Sequence, residues 1–245
     1  MGIPFHANSF YVVCSDAHHL FIYREPPRFD HWYRDSFIGS ARVSVLETEA
    51  MNIQPIYLEG VHVKLEPLSL IHHQQLCEVG LDPELWKITM TLIRTPDEMK
   101  QYIMIALKEQ EEGRSLPFTI IDKKSDKAVG SSRYGNIDLV NKRVEIGWTW
   151  IARPWQRTAI NTETKYLLLT HAFEKLGCIR VEFKTDSLNT QSRNALLRIG
   201  AKEEGIFRNH MIAPGGRLRQ SVYFSIIDSE WSHVKKMLEG KLNKD

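Results

Sequence analysis

The chain is poor in cysteine: Cys14, Cys77 and Cys178 lie far apart in 245 residues. Three scattered thiols make neither a disulfide framework nor a paired-cysteine zinc module, and a reducing cytoplasm fits them best. Long apolar runs are missing too, since no stretch approaches the roughly 18 apolar residues of a membrane span. The opening "MGIPFH" has neither the basic-then-apolar pattern of an export leader nor the Ser or Thr of a myristoylation signal. There is no charge excess: 32 Lys and Arg against 30 Asp and Glu leave +2, which gives no electrostatic footprint for nucleic acid or an anionic membrane. Phosphate-loop and dinucleotide fingerprints are absent, and "GSSRYG" carries its second glycine one residue too late for a nucleophile elbow. His73 and Cys77 stand four apart beside His72, but two ligands do not hold zinc, so no metal is expected.

What remains is an ordinary globular composition, 42% hydrophobic, long enough for one sizeable core. Residues 1–50 mix aromatics, prolines and charges without sustained periodicity, as in "HHLFIYREPPRFDHWYRDSF". They read as an extension of uncertain order, with the regular domain at 51–245. From Met51 the pattern gives a strand at "VHVKLEPL" and a helix at "SLIHHQQLCEVG", closed by Gly80. Thr95, Pro96 and Glu98 form an N-cap, first-turn proline and capping-box glutamate for a helix running to Gly113. "LPFTIID", "KAVGSSRYGNID" and "RVEIGWTWI" follow as strands joined by short turns. A helix through Leu169, Ala172, Phe173 and Leu176, a strand "CIRVEFKTD", an Asn189-capped helix, a strand "SVYFSIID" and a terminal helix "EWSHVKKML" complete an α+β order.

At the centre of this order, "WQRTAINTET" (155–164) joins a strand to a helix. Such a junction aims several unpaired backbone N–H groups and a positive helix end at one point, which suits a pyrophosphate. Thr158, Ala159, Ile160 and Asn161 would supply those groups, with Arg153 and Arg157 able to add charge. An ordinary strand-to-helix connection explains the same spacing.

The motifs "RVEIGWTWI", "QRTAINTETK", "RVEFKTDSLNTQSRNALLRIGAKEEGIFR" and "YFSIIDSEW", in that order over about residues 55–235, resemble the GCN5-related N-acetyltransferases, within them the RimJ/RimL-like branch. The resemblance implies the acetyltransferase fold, a mixed, mostly antiparallel sheet with helices on both faces. It also implies acetyl-coenzyme A as co-substrate, gripped where "GWTWI" and "VEFKTD" part, so that Trp150 and Ile151 border it. The family's phosphate loop reads Gln or Arg, two residues, Gly, one residue, then Gly or Ala. Gln156 fits, Ala159 takes the place of the first glycine and Asn161 the second small position. A methyl at Ala159 is tolerable in a helical first turn, whereas a β-branched residue would crowd a phosphate.

By the same resemblance Asn189 faces the pantetheine and Ser192 the cofactor sulfur. The usual tyrosine acid seven residues after the asparagine is Leu196 here, and Ser192 takes its role as in the RimL-like branch. For the general base, Glu145 and His210 are the candidates. A free α-amino group needs only about 1.4 kcal/mol to deprotonate at pH 7 and a lysine about 4.6, so one weak base suffices for the first. The expected reaction is direct transfer to a primary amine, of a protein N-terminus or a small molecule, by a cytoplasmic monomer or homodimer. A fold-retaining binding module with impaired catalysis is the alternative, motivated by the missing loop glycine and tyrosine.

Overall fold

The computed structural model describes residues 11–14, 20–23 and 51–243. Internal contacts gather into two units, Met1–Glu47 and Thr48–Asp245. In the first, β1 (Tyr11–Cys14) and β2 (Leu20–Tyr23) pair antiparallel, so the stretch expected to be irregular contains a short ladder. Trp32, Tyr33 and the remainder of the extension lie outside the described residues.

The second unit is built on one sheet of β3 (Leu58–Glu59), β4 (Val63–Pro67), β5 (Leu116–Asp122), β6 (Lys127–Asp138), β7 (Arg143–Ile151), β8 (Arg180–Asp186), β9 (Lys202–Ile212) and β10 (Leu218–Ile227). Their order is β3-β4-β5-β6-β7-β8-β10-β9. Every neighbouring pair is antiparallel except β7 and β8, which are parallel. Five helices accompany the sheet: α1 (His73–Gly80), α2 (Pro96–Glu111), α3 (Ala159–Glu174), α4 (Thr190–Arg198) and α5 (Asp228–Leu242).

Alternation assigns the faces. On β8 and β10, Val181, Phe183, Val222, Phe224 and Ile226 join the core that includes Leu168, Leu169 and Ala172 of α3 and Trp231, Val234 and Leu238 of α5. The opposite face over β5–β7 is closed by Leu76 of α1 and Met99, Tyr102 and Ile103 of α2, packed with Ile121, Ala128 and Trp150. Helices therefore cover both faces, as expected. The polar side of β8 and β10, with Lys184, Asp186, Ser221 and Tyr223 in register, belongs to neither core.

Helix starts follow their caps. Thr95 Oγ1 accepts from Glu98 N at 3.2 Å, while Glu98 Oε2 accepts from Arg94 N at 2.6 Å, so the glutamate closes the box one residue earlier than its motif implies. Among the described residues no helix is long and apolar enough to cross a membrane.

Met51 is 6% exposed within the main core and its sulfur lies 3.5 Å from that of Cys178. A chain beginning at Thr48 is therefore expected to melt in one cooperative transition, and Met51→Ala in that chain to lose about 2–3 kcal/mol. Calorimetry decides: absence of a cooperative transition would show that the domain depends on Met1–Glu47.

Candidate functional site

β7 and β8 are paired only at Arg143–Arg180, Val144–Val181 and Glu145–Glu182. Beyond Glu145 the edge of β7 toward β8 has no strand partner, although β7 runs on to Ile151 and β8 to Asp186. The local cause is in β7. Trp148 has φ +49°, and the β6–β7 register slips between Ser131 and Arg133 and again between Gly135 and Asp138. Bulges of this kind bend a strand and re-aim it. The guanidinium of Arg133 sits 5.1 Å from the Trp148 ring and 5.2 Å from that of Tyr102, with its Nη1 on Glu109 at 2.9 Å. Gly135 lies so close beneath Trp148 that a Cβ there would stand 2.4 Å from the ring. Left-handed backbone at a bulky residue is costly, and this clamp of aromatic and cationic groups holds it.

At the end of β7 the chain makes a single 3-10 turn, Arg153–Trp155, and enters α3 at Ala159. Trp155 Nε1 donates to Asp122, and Gln156 Nε2 donates to Ile151 O at 2.8 Å. Gln191 Nε2 donates to Gln156 Oε1 at 2.9 Å, tying the loop to the first turn of α4. Thr158 caps α3, its hydroxyl accepting from Ile160 N. Apart from the capped Ile160 N–H, the first-turn N–H groups of α3 have no acceptor within the helix and lie at the end of the parted strands. Ala159, which stands where the resembling loop has glycine, has no positive φ and is buried. The left-handed residue is Arg157, φ +61°, so the loop's strain lies two residues earlier than the substitution. A cavity of about 620 Å³ beside this helix end is lined by His62, Lys123, Lys124, Trp155, Thr158 and Ala159 among others. Asp122 also lines the cavity and Lys123 is paired with Glu59 at 2.6 Å, so the attraction for an anion rests on Lys124 and the helix end, and the open β7 edge suits an extended amide chain. Acetyl-coenzyme A, a pyrophosphate joined to a pantetheine, fits both.

The remaining expected residues fall in three places. Asn189 Oδ1 caps α4 by accepting from Ser192 N at 2.9 Å, which uses the asparagine as a helix cap. Glu145, 3% exposed, accepts from Asn136 Nδ2 at 2.6 Å and pairs with Lys184 at 3.3 Å. His210 Nδ1 lies 3.0 Å from Ser221 Oγ on the same polar face, its ring against Phe207 and Tyr223. The side chain of Trp150 turns away, packing 5.4 Å from Trp86 in the second core; only its backbone remains available to a ligand.

Two α3 residues escaped the sequence reading because both are charged and lie on the buried side of the helix. Glu163 accepts from Val61, His62 and Val63 N–H at 2.8, 2.6 and 2.8 Å, anchoring the turn before β4. Gly60 leaves the room for it, as a Cβ there would come within 2.4 Å of the carboxylate. Lys165, 5% exposed, donates to Thr149 Oγ1 at 2.6 Å, and that hydroxyl also meets Ser132 Oγ at 2.8 Å. Burial lowers the lysine to about 7.

Residues 62–202 match the acetyltransferase (GNAT) domain family. The chain is 27% identical over 191 residues to the uncharacterized N-acetyltransferase p20 of Bacillus licheniformis, covering 78% of this chain and 99% of that one. The crystal structure of a GCN5-related N-acetyltransferase from Brucella melitensis superposes with a TM-score of 0.73 at 31% identity, over 78% of this chain and 86% of that one. From the expected branch, Mycobacterium smegmatis RimJ in complex with CoA-disulfide shares the fold with a TM-score of 0.67 at 21% identity, covering 76% and 95%. The chain belongs to the GNAT acetyltransferase family and is an acetyl-CoA-dependent acyltransferase.

Lys165 makes stability depend on alkaline pH. Its folded pKa, about 7, lies below its ordinary 10.5, so the unfolded chain binds the extra proton between those values and stability rises with pH across that window. The burial penalty is present in full below pH 7. Lys165→Met removes the dependence: from pH 7 to pH 9 the wild type should gain on the order of 2 kcal/mol relative to the variant. Parallel denaturant titrations that keep a constant gap would show that Lys165 is charged throughout.

Proposed function

We propose that the protein transfers the acetyl group of acetyl-CoA to a primary amine, of a protein N-terminus or a small molecule, by direct attack in a ternary complex. The observation that carries this reading is the parting of β7 from β8 at the N-terminus of α3. The pantetheine lies along β7 from Gly147 to Ile151, and the backbone N–H groups of Arg157, Thr158, Ala159 and Asn161 hold the pyrophosphate, with the Ile160 N–H kept by the Thr158 cap and Gln156 fixing the loop. Ala159 fits this role because its methyl group adds no backbone strain.

The neutral amine attacks the thioester carbonyl; a C–N bond forms, the C–S bond breaks, and the developing oxyanion is met by backbone N–H of β7. Ser192 returns a proton to the thiolate. Between the two base candidates, Glu145 has its carboxylate engaged by Lys184 and Asn136, whereas His210 is tethered through Nδ1 and leaves Nε2 free to take the proton through water. Glu145 then acts by charge alone.

Ser192→Ala is expected to lower turnover about 10²-fold with little change in acetyl-CoA affinity, because proton donation matters only as the thiolate leaves. Ala159→Val should weaken acetyl-CoA binding by at least about 1 kcal/mol in titration calorimetry. Full turnover in Ser192→Ala with chemistry rate-limiting would remove the acid role, and unchanged affinity in Ala159→Val would remove the phosphate from this loop. Thiol release with a panel of amines separates an enzyme from a binding module, which would take up acetyl-CoA and release none.

A further inference from the structure

Around the mouth of the parted strands the polar face carries Glu145, Lys184, Asp186, Arg217 and Arg219. Four of these are matched: Lys184 with Glu145 at 3.3 Å and Arg217 with Asp186 at 2.5 Å. Arg219 is left over. It is 7% exposed, and its enclosed Nε has no hydrogen-bond partner among the described residues. β10 alternation puts it on the side of Ser221 and Tyr223, whose register partners are Asp186 and Lys184. Burial lowers its pKa, while Asp186 and Glu145 act in the opposite direction through space. Both carboxylates are already engaged, so they lend charge without filling the guanidinium fork. One residue along β10, Gln220 joins Phe207, Arg208, Asn209 and His210 in lining an open cavity of about 850 Å³.

A buried guanidinium that makes less than its full set of hydrogen bonds is costly, and the cost is offset when a ligand supplies the acceptor atoms. Nε is enclosed, whereas the two Nη groups are neither enclosed nor bonded among the described residues, and their end-on N–H pair matches two carboxylate oxygens. We propose that Arg219 is an acceptor-specificity residue that binds a carboxylate carried by the amine substrate, so that the enzyme prefers acidic amines to neutral or polycationic ones. This rests on the acetyl-transfer reading and narrows its acceptor.

The test uses the full chain, acetyl-CoA and matched amines differing only in carboxylate against carboxamide: amino acids against their amides, and short peptides with Asp or Glu against Asn or Gln next to the N-terminus. Thiol release gives kcat/KM for each member. The wild type should favour the carboxylate member at least 10-fold in one series, Arg219→Gln should bring that ratio to about 1, and Arg219→Lys should keep part of it, charge without the fork. Cofactor affinity should stay unchanged in both variants. A wild-type ratio near 1, or a ratio that Arg219→Gln leaves intact while both members slow equally, overturns the proposal and leaves acetyl transfer standing. Should Arg219→Gln not fold, Arg219→Lys carries the decision, and an unaltered ratio there overturns it. If the wild type binds acetyl-CoA but releases no thiol with any amine, the acetyl-transfer reading fails and takes the proposal with it.

Discussion

The molecule turns on a ladder that stops early. Three residue pairs join β7 to β8, after which two strands in the middle of an eight-stranded sheet separate. Interior backbone N–H and C=O groups are otherwise almost always satisfied. A sheet opened at its centre therefore leaves a row of donors and acceptors that an extended, amide-bearing ligand can complete in place of water. The opening is imposed by Trp148, held in a left-handed conformation by Arg133 above it and by the missing side chain of Gly135 below. Strain of this kind persists only where its surroundings over-determine it, and Arg133 is fixed in turn by Glu109 of α2.

α3 links the opening to the rest of the domain. Its N-terminus sits at the end of the gap, its Glu163 fastens the turn before β4, and its Lys165 reaches the Thr149 hydroxyl in the separated half of β7. These are buried, long-range contacts from one rigid element. A shift of α3 would disturb the proposed anion site, the β4 edge and the free strand together, so the helix end owes its position to packing more than to loop sequence.

Strands with one apolar face, such as β8 and β10, were legible from alternation, and α2 from its cap. β9 was not: "KEEGIFRNHMI" is exposed along most of its length, with Ile206 and Phe207 45% and 53% exposed, so no period-2 signal exists to read. The strand-to-helix junction proposed as the anion site was legible from the sequence, and the partners of "RVEIGWTWI" and "VEFKTD" only by resemblance. Glu163, Lys165 and Arg219 were invisible because charged letters read as solvent-facing, and their burial follows from which face of an element meets a neighbour. Asn189 shows the converse: its cap bond to Ser192 N was expected from residue type alone and is present.

The two sides of the sheet divide the labour. The proposed place of the cofactor is mainly backbone, from the helix end and the unpaired β7 edge, and backbone recognition tolerates side-chain change so long as no bulk intrudes. An alanine at position 159, without positive φ, is compatible with such recognition. The opposite face is different in kind. Over β8 and β10 it is built of charged side chains whose identities are the information: Glu145 and Asp186 matched, Arg219 unmatched. Buried polar groups that the wrong partner would leave unpaired discriminate strongly, so the proposed acceptor contact at Arg219 lies where side chains can vary without touching the proposed cofactor edge. On this reading the base candidates Glu145 and His210 share the polar face with Arg219, while the cofactor is met by backbone along the opened strand.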